Sequence, residues 1–278
     1  MTATIRATIK EAFRRQTLVV SVVLVTLLMA ALWYFVAHQQ KAAIANAPMV
    51  NTFQSVTALG LGSFMINLVV AFFAIFCLSG NLSSEIETGT LAAVAARPIV
   101  RSRILLGKWI GIALIEIGYV SLVFAGVIGI ILTYNPWVTP AGQLLAAWGL
   151  FVLEGWLLSA VALLLSVWLS PVAGGVGLSI LYFTEFVAGA FSQSVGSQAS
   201  SVHAATSVLA LLLPTDSLYR RATFEIFGGR HNPLVAVLGN LGPLGVNFTP
   251  SWGTVVYALI YLTGILALVV KIFKRRDI

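Results

Sequence analysis

The chain has 278 residues, of which 59% are hydrophobic and 9% are charged, and its mean hydropathy is +0.98. A soluble domain needs far more polar side chains to cover its surface, so the composition excludes that class and indicates a polytopic membrane protein. The formal net charge of +7 does not indicate nucleic-acid binding, because the basic residues lie beside apolar segments.

The basic residues mark one side of the membrane. Twelve of the sixteen Lys and Arg residues fall in three clusters, within 6–15, 97–108 and 271–276. Basic residues of this kind mark the cytoplasmic ends of membrane helices. The lipid bilayer is therefore an expected partner, and nucleic acid is not. The predicted membrane anchors are Arg14, Arg15, Lys108 and Arg275.

The N-terminal element is predicted to be a basic amphipathic helix over residues 3–16, which lies in the inner interface of the membrane. Its apolar side chains share one face of a helical wheel and its basic side chains share another. The two faces consist of Ile5, Ile9, Ala12 and Phe13 on one side and Arg6, Lys10 and Arg14 on the other.

Six apolar segments are long enough to cross the hydrocarbon core, which takes about 20 residues. They cover residues 17–37, 56–79, 104–133, 144–169, 172–191 and 251–273. An even number of crossings puts both termini on one side, and the basic clusters make that side the cytoplasm. The sequence thus predicts one all-α permease domain over 1–278.

The outer region 192–250 is predicted to hold a segment that does not cross the membrane. Its apolar run, 202–213, is too short to span and is expected to be re-entrant or interfacial. A crossing here would place the C-terminal basic cluster outside. With no crossing at 202–213, the basic residues that follow it lie on the outer side, against the positive-inside rule. They are Arg220, Arg221 and Arg230.

Three glutamates, Glu116, Glu154 and Glu185, lie within apolar spans. A charge at membrane depth costs about 3 kcal/mol or more, so such residues face a protein interior or a water-filled cavity. Two interpretations remain open. The acids line a substrate pathway or proton relay, or they are neutral carboxyl groups hydrogen-bonded to a neighbouring helix.

The chain shows no phosphate-binding loop, no metal-ligand spacing and no nucleophile motif. Gly107-Lys108 is followed by Trp109 and enters a membrane helix. No catalytic or metal-binding residue is predicted, and ATP-driven work would have to come from another subunit.

The loop 81–103 interrupts the apolar sequence with helix-breaking and charged residues. Thr90 is a good N-cap for a short helix, and Pro98 disfavours helical backbone at Arg97, where that helix is expected to end. The loop is interpreted as a docking helix held between two membrane helices, or as an interfacial loop that lies on the lipid.

These residues carry a family resemblance. Glu87-x-Gly-Thr-Leu91, Arg97-Pro98, Arg101 and Leu106-Gly-Lys108 resemble the cytoplasmic motif of ABC-2 type permeases, most closely the compact NosY-like members. The resemblance covers the whole chain, although Val100 stands where serine is common. It implies an N-terminal interfacial helix, a coupling helix that docks on the ATPase subunit, and re-entrant helices before the last span.

The resemblance also implies the function and partners. The chain would be the membrane subunit of an ABC exporter that moves an amphipathic drug, lipid or peptide across the cytoplasmic membrane of a prokaryote. It would pair with itself or with a paralogous permease and bind two ATPase subunits, which hold the ATP and Mg²⁺. The chain itself would bind no cofactor. The expected coupling residues are Glu85, Glu87, Gly89, Thr90, Leu91, Arg97, Pro98 and Arg101.

Two alternative functions remain open from the sequence. An immunity or metalloenzyme-maturation complex would use the same ATPase strokes mechanically, without substrate flux. A proton-coupled secondary transporter would use Glu116 or Glu185 as the proton site and would not depend on ATP.

Overall fold

The structure is a computed structural model that describes residues 5–10, 16–41, 48–87, 101–134, 139–195, 200–229 and 244–275. Its described residues form helices and connecting segments without a strand. The helices are α1 (5–10), α2 (Gln16–Lys41), α3 (Pro48–Glu87), α4 (Arg101–Tyr134), α5 (Ala141–Leu165), α6 (Pro171–Val195), α7 (Ser200–Leu212), α8 (Thr215–Ile226) and α9 (Trp252–Arg275).

Six of these helices are long and apolar enough to cross a membrane. The candidate spans are Leu18–Gln39, Thr52–Phe76, Leu105–Tyr134, Ala141–Leu165, Val172–Gln193 and Trp252–Phe273. They lie on α2 to α6 and on α9, and each overlaps one predicted segment with ends that differ by a few residues. The all-α fold with six membrane helices is therefore confirmed.

Hydroxyl side chains within the spans are satisfied by the helix that carries them. The hydroxyls of Ser63, Ser121 and Ser179 each donate to the backbone carbonyl four residues earlier, at 2.9, 2.6 and 2.8 Å. Lipid offers no hydrogen-bond partner, so these local bonds allow polar residues in apolar helices.

The centre of the bundle is formed by α3 and α5. In the most apolar stretch of each helix, 67% of the residues of α3 and 72% of those of α5 are buried. For α2 and α9 the share is only 17% each, so these two helices lie at the periphery. Close packing against the centre uses rings and a glycine. Phe73 stacks on Tyr119 with ring centroids 4.0 Å apart, and Gly62 leaves room for Ile131.

The two ends of the bundle differ in what they carry. The terminal end is defined here as the end that holds α1 and the last turns of α9. At this end Thr8 of α1 is buried against Gly111 of α4, whereas Arg6 and Lys10 are exposed. Ile5 and Ile9, of the predicted apolar face, are half-buried. The interfacial position of this helix stays a prediction.

The opposite end, the hairpin end, carries α7 and α8 as a helical hairpin. α7 ends at Leu212, and Pro214 precedes α8, since proline has no N–H and fits the start of a helix. α8 is held by two i,i+4 ion pairs, Asp216–Arg220 and Arg221–Glu225. It ends before Gly228 and Gly229, which adopt φ of 87° and 63°, a backbone conformation that favours glycine.

The tip of the hairpin reaches deep between the spans. The tip residues Thr215 and Asp216 contact Glu185, which precedes the Gln193 end of its span by eight residues, or about 12 Å of helix. Tyr261, nine residues or about 14 Å from the Trp252 end of α9, contacts Leu212. These contacts place the tip between α6 and α9, about 12–14 Å of helix from the ends of their candidate spans. The re-entrant or interfacial position of 202–213 relative to the membrane stays a prediction.

The outer end of α8 returns to the hairpin end of the bundle. The Thr139 hydroxyl donates to the Ile226 carbonyl at 2.7 Å, just before α5 begins. Gln143 of α5 lies against Gly229. The hairpin therefore descends along α6 and returns along α5.

Candidate functional site

The tip of the hairpin is held by Glu185 of α6, which is 1% exposed. One carboxylate oxygen accepts the backbone N–H of Asp216 at 2.9 Å, and the other accepts the Thr215 hydroxyl. The first N–H groups of any helix lack an intrahelical partner, and in lipid they have no water to bind. Glu185 therefore supplies an acceptor that lets α8 begin between the membrane helices.

The carbonyls that end α7 are satisfied from the other side of the hairpin. The hydroxyl of Tyr257 donates to the Leu211 carbonyl at 2.6 Å, and the hydroxyl of Tyr261 donates to the Leu212 carbonyl. The tip is thus clamped between α6 and α9, with donors and acceptors matched on both sides.

The tip residue Asp216 also belongs to a buried ion pair. The Arg220 Nε lies 2.8 Å from Asp216 Oδ2, and Arg220 Nη1 donates to the Gly245 carbonyl at 2.8 Å. Burial raises the pKa of Asp216, and the Arg220 guanidinium opposes that rise. The charge on Asp216 therefore depends on Arg220, which also ties α8 to the segment before α9.

Gly189 of α6 makes room for this ion pair. A Cβ at this position would overlap the Asp216 carboxylate. We expect Gly189→Ala to lower the free energy of unfolding by about 1–3 kcal/mol, the usual cost of overpacking a core. The measurement is thermal unfolding of the purified protein in detergent.

The matched control for this prediction is Gly177→Ala on the same helix, where nothing lies within 4 Å of the added Cβ. Alanine favours helix over glycine by up to about 1 kcal/mol, so this variant should be neutral or more stable. Equal effects of the two variants would show that Asp216 does not depend on Gly189.

A second acid, Glu154 of α5, is fully buried in the bundle, as Glu185 is. In the amide orientation that satisfies both neighbours, Asn67 of α3 donates to the Glu154 carboxylate oxygens at 2.7 and 3.1 Å. The Tyr182 hydroxyl of α6 donates to the Asn67 oxygen at 2.7 Å. The helices α3, α5 and α6 therefore meet in one buried hydrogen-bonded cluster.

Glu116 of α4 is also buried but belongs to a different contact. Ser159 of α5 donates to its carboxylate at 3.3 Å, and the carboxyl group packs over Gly155, where an added Cβ would lie 3.7 Å away. Trp156 of the same helix donates to the Ala113 carbonyl at 3.1 Å. Glu116 thus joins α4 to α5.

Arg221, which follows Arg220 on α8, is also paired. Arg221 Nη2 lies 2.5 Å from Glu225 Oε1, and its guanidinium lies 4.4 Å from the centroid of the Trp252 ring. Arg220 and Arg221 therefore bind acids and a ring within the protein. Their charges are compensated within the protein. The positive-inside rule counts basic residues and not net charge, so the conflict that the sequence suggested for these two residues stays.

Two cavities open beside the hairpin. The first, of about 230 Å³, is lined in part by Gly189, Gln193, Asp216 and Arg220. The second, of about 460 Å³, lies between the hairpin and the start of α9, and both are bordered by Ser217. The ion pair thus lines the smaller cavity, and the larger cavity adjoins the smaller one at Ser217.

The predicted coupling residues fall mostly outside this part of the structure. Glu85 and Glu87 lie in the last turn of α3, and Arg101 begins α4. The other five, Gly89, Thr90, Leu91, Arg97 and Pro98, lie outside the described residues.

The predicted anchors are described only in part. Arg14 and Arg15 lie outside the described residues, and Arg275 ends α9. Lys108 is 9% exposed and lies near the start of α4, at the terminal end. Its role as an anchor stays a prediction.

Sequence reasoning missed four of the residues that form the buried polar contacts. Asp216 and Arg220 could have been recognised from the sequence as residues of opposite charge at positions i and i+4, the spacing of ion pairs on a helix. Asn67 and Tyr182 are single polar residues in apolar runs, and no local pattern connects them to Glu154.

Six membrane helices with a helical hairpin before the last one define the chain as a polytopic helical-bundle membrane protein. The family model described as ABC-2 family transporter protein matches residues 5–278. The chain belongs to this family, as the resemblance indicated. It is a membrane component of an ABC transporter, whose ATPase is a partner. The chain has no match among the curated proteins.

Proposed function

We propose that the chain is the permease subunit of an ATP-driven exporter that moves an amphipathic substrate out of a prokaryotic cell. The family match across 5–278 carries this proposal, because it includes both the bundle and the loop 81–103. Two ATPase subunits bind a pair of permeases, which is a homodimer or a pair of paralogues. ATP and Mg²⁺ bind to the ATPase subunits.

The geometry of α3 and α4 supports docking at the terminal end. The candidate span on α3 ends at Phe76, but the helix continues to Glu87, about 16 Å further. α4 begins at Arg101, before its span starts at Leu105. Both helices therefore carry the expected coupling residues beyond the spans at the same end of the bundle.

The same end carries the basic clusters, which supports the proposed orientation. Arg6 and Lys10 are exposed on α1, and α9 ends there at Arg275. By the positive-inside rule this end faces the cytoplasm, where ATP is available, and the hairpin end faces outward.

The double variant Glu87→Ala, Leu91→Asp tests the coupling. It removes an acid at the end of α3 and places a charge in the expected docking helix. We expect the amount of ATPase that co-purifies with the permease to fall about tenfold or more, a loss of about 1.4 kcal/mol per factor of ten. The measurement is co-expression with the cognate ATPase, followed by affinity purification through the permease.

The control is Thr249→Asp, which adds the same charge at the hairpin end. It should leave the ATPase bound. An unchanged complex in the double variant, with the protein still folded by gel filtration, would contradict docking through 81–103.

A further inference from the structure

The hairpin cavities combine an ion pair with hydroxyl-lined walls. Asp216 and Arg220 line the smaller cavity, and Ser192, Thr206, Ser207 and Ser217 provide the hydroxyl groups. The larger cavity continues past Ser207 and Ser217 to Ser251, Thr254 and Tyr257. Its volume of about 460 Å³ falls within the range of about 300–1,000 Å³ that is typical of small-molecule sites. The two cavities therefore offer a polar site of useful size.

The ion pair keeps one donor and one acceptor unused. Within the described residues, Arg220 Nη2 and Asp216 Oδ1 are buried without a hydrogen-bond partner. Such atoms are costly unless a ligand or water satisfies them. The pair has no net charge, so it favours a group that itself carries both charges close together. A guanidinium is well suited to bind a phosphate oxygen.

The site opens onto an apolar face that the same helices provide. Leu211 lines the larger cavity and is 59% exposed, next to exposed Val208 and Leu212 on α7. Val256 and Ile260 of α9 are exposed as well. A molecule in the cavity would thus have polar contacts at the ion pair and lipid-facing contacts at its other end.

We propose that the hairpin cavities bind the headgroup of a zwitterionic phospholipid. The phosphate accepts from Arg220 Nη2, the ammonium donates to Asp216 Oδ1, and the acyl chains lie along the exposed side of α7 and α9. This inference rests on the proposed export function, of which it names the substrate class.

Lipid binding by the permease alone tests the proposal, because neither the ATPase nor ATP is needed. The purified protein is given phosphatidylethanolamine or phosphatidylglycerol with the same acyl chains, and native mass spectrometry measures the bound lipid. We expect phosphatidylethanolamine to bind about tenfold more tightly, a difference of about 1.4 kcal/mol. Equal binding, or a preference for the anionic phosphatidylglycerol, would overturn the proposal.

Two variants at one position locate the binding. Ser217→Leu fills the wall that both cavities share, and it should lower phosphatidylethanolamine binding about tenfold. Ser217→Ala leaves the space open but removes one hydroxyl group, so its loss of binding should be smaller than that of Ser217→Leu. Val172→Leu enlarges an exposed residue at the terminal end of α6 that lines neither cavity and should bind normally.

Folding is checked by thermal unfolding of each variant. If Ser217→Leu melts early, Thr254→Leu fills the larger cavity from α9 instead and should show the same loss. Normal lipid binding in a folded variant with a filled cavity would refute the site. If the ATPase co-purifies normally while the parent protein shows no phosphatidylethanolamine preference, the lipid inference fails and the proposed permease function stands.

Discussion

Replacing Arg220 with methionine is expected to lower the free energy of unfolding by about 3–5 kcal/mol, the usual effect of removing one partner of a buried ion pair. Arg220 is 1% exposed and binds both Asp216 and the Gly245 carbonyl. Methionine fills similar space, so the loss comes from the unpaired acid and the unbound carbonyl. Burial already raises the pKa of Asp216, and without Arg220 nothing opposes that rise.

The measurement combines thermal unfolding with labelling of the hairpin tip. Leu213 is fully buried, and a Leu213→Cys reporter in a Cys77→Ser background should react with a maleimide only when the hairpin opens. We expect faster labelling in the Arg220→Met protein.

Two further variants separate the ion pair from general damage. Asp216→Asn combined with Arg220→Met removes both charges and should recover part of the lost stability. Arg221→Met is the matched control, because the Arg221 side chain is 14% exposed against 2% for Arg220. It should cost about 1–3 kcal/mol, less than Arg220→Met. Equal losses for Arg220→Met and Arg221→Met would contradict a special role of the buried pair.

Glu185→Leu is expected to free the hairpin tip without unfolding the bundle. Leucine accepts neither the Asp216 N–H nor the Thr215 hydroxyl. A buried donor left without a partner costs about 1–3 kcal/mol, so backbone amide exchange at 213–218 should become about 10- to 100-fold faster. Hydrogen exchange followed by mass spectrometry measures this rate directly.

The chain offers a graded variant and a control for this prediction. Glu185→Gln keeps one carbonyl oxygen and should give an intermediate exchange rate. Glu116→Gln alters an equally buried acid whose described contacts are with α5, so exchange at the tip should stay unchanged. Unaltered exchange in Glu185→Leu would show that other contacts hold the tip.

Hydropathy and charge were enough to predict the membrane helices. Each span is a long apolar run with few charges, and the cost of exposing backbone to lipid leaves a helix as its only local solution. The three buried glutamates could also be picked out, since an acid in an apolar run is conspicuous. The sequence left two interpretations of these acids open: a substrate pathway or proton relay, and neutral carboxyl groups hydrogen-bonded to a neighbouring helix. In the structure, Glu116, Glu154 and Glu185 contact neighbouring helices.

The hairpin could be predicted only in part, because its contacts are distant in sequence. The length of 202–213 excluded a crossing, but its depth depends on Glu185 and on Tyr261, which belong to other helices. Arg220 was placed on the outer side from the chain order alone. Its burial depends on Asp216 and Gly245, and pairing of this kind cannot be read from hydropathy.

The contacts at the tip also set an order of assembly. In the part of the chain that the structure describes, the carbonyls of Leu211 and Leu212 accept from Tyr257 and Tyr261 of α9, and the backbone N–H of Asn247 donates to Gln193. While the chain emerges from the ribosome, α7 and α8 are complete before α9 exists. The contacts of the hairpin with α5 and α6 are available at that stage, whereas the two tyrosine hydroxyls are not. We therefore expect the hairpin to reach its final position only after the last helix has inserted.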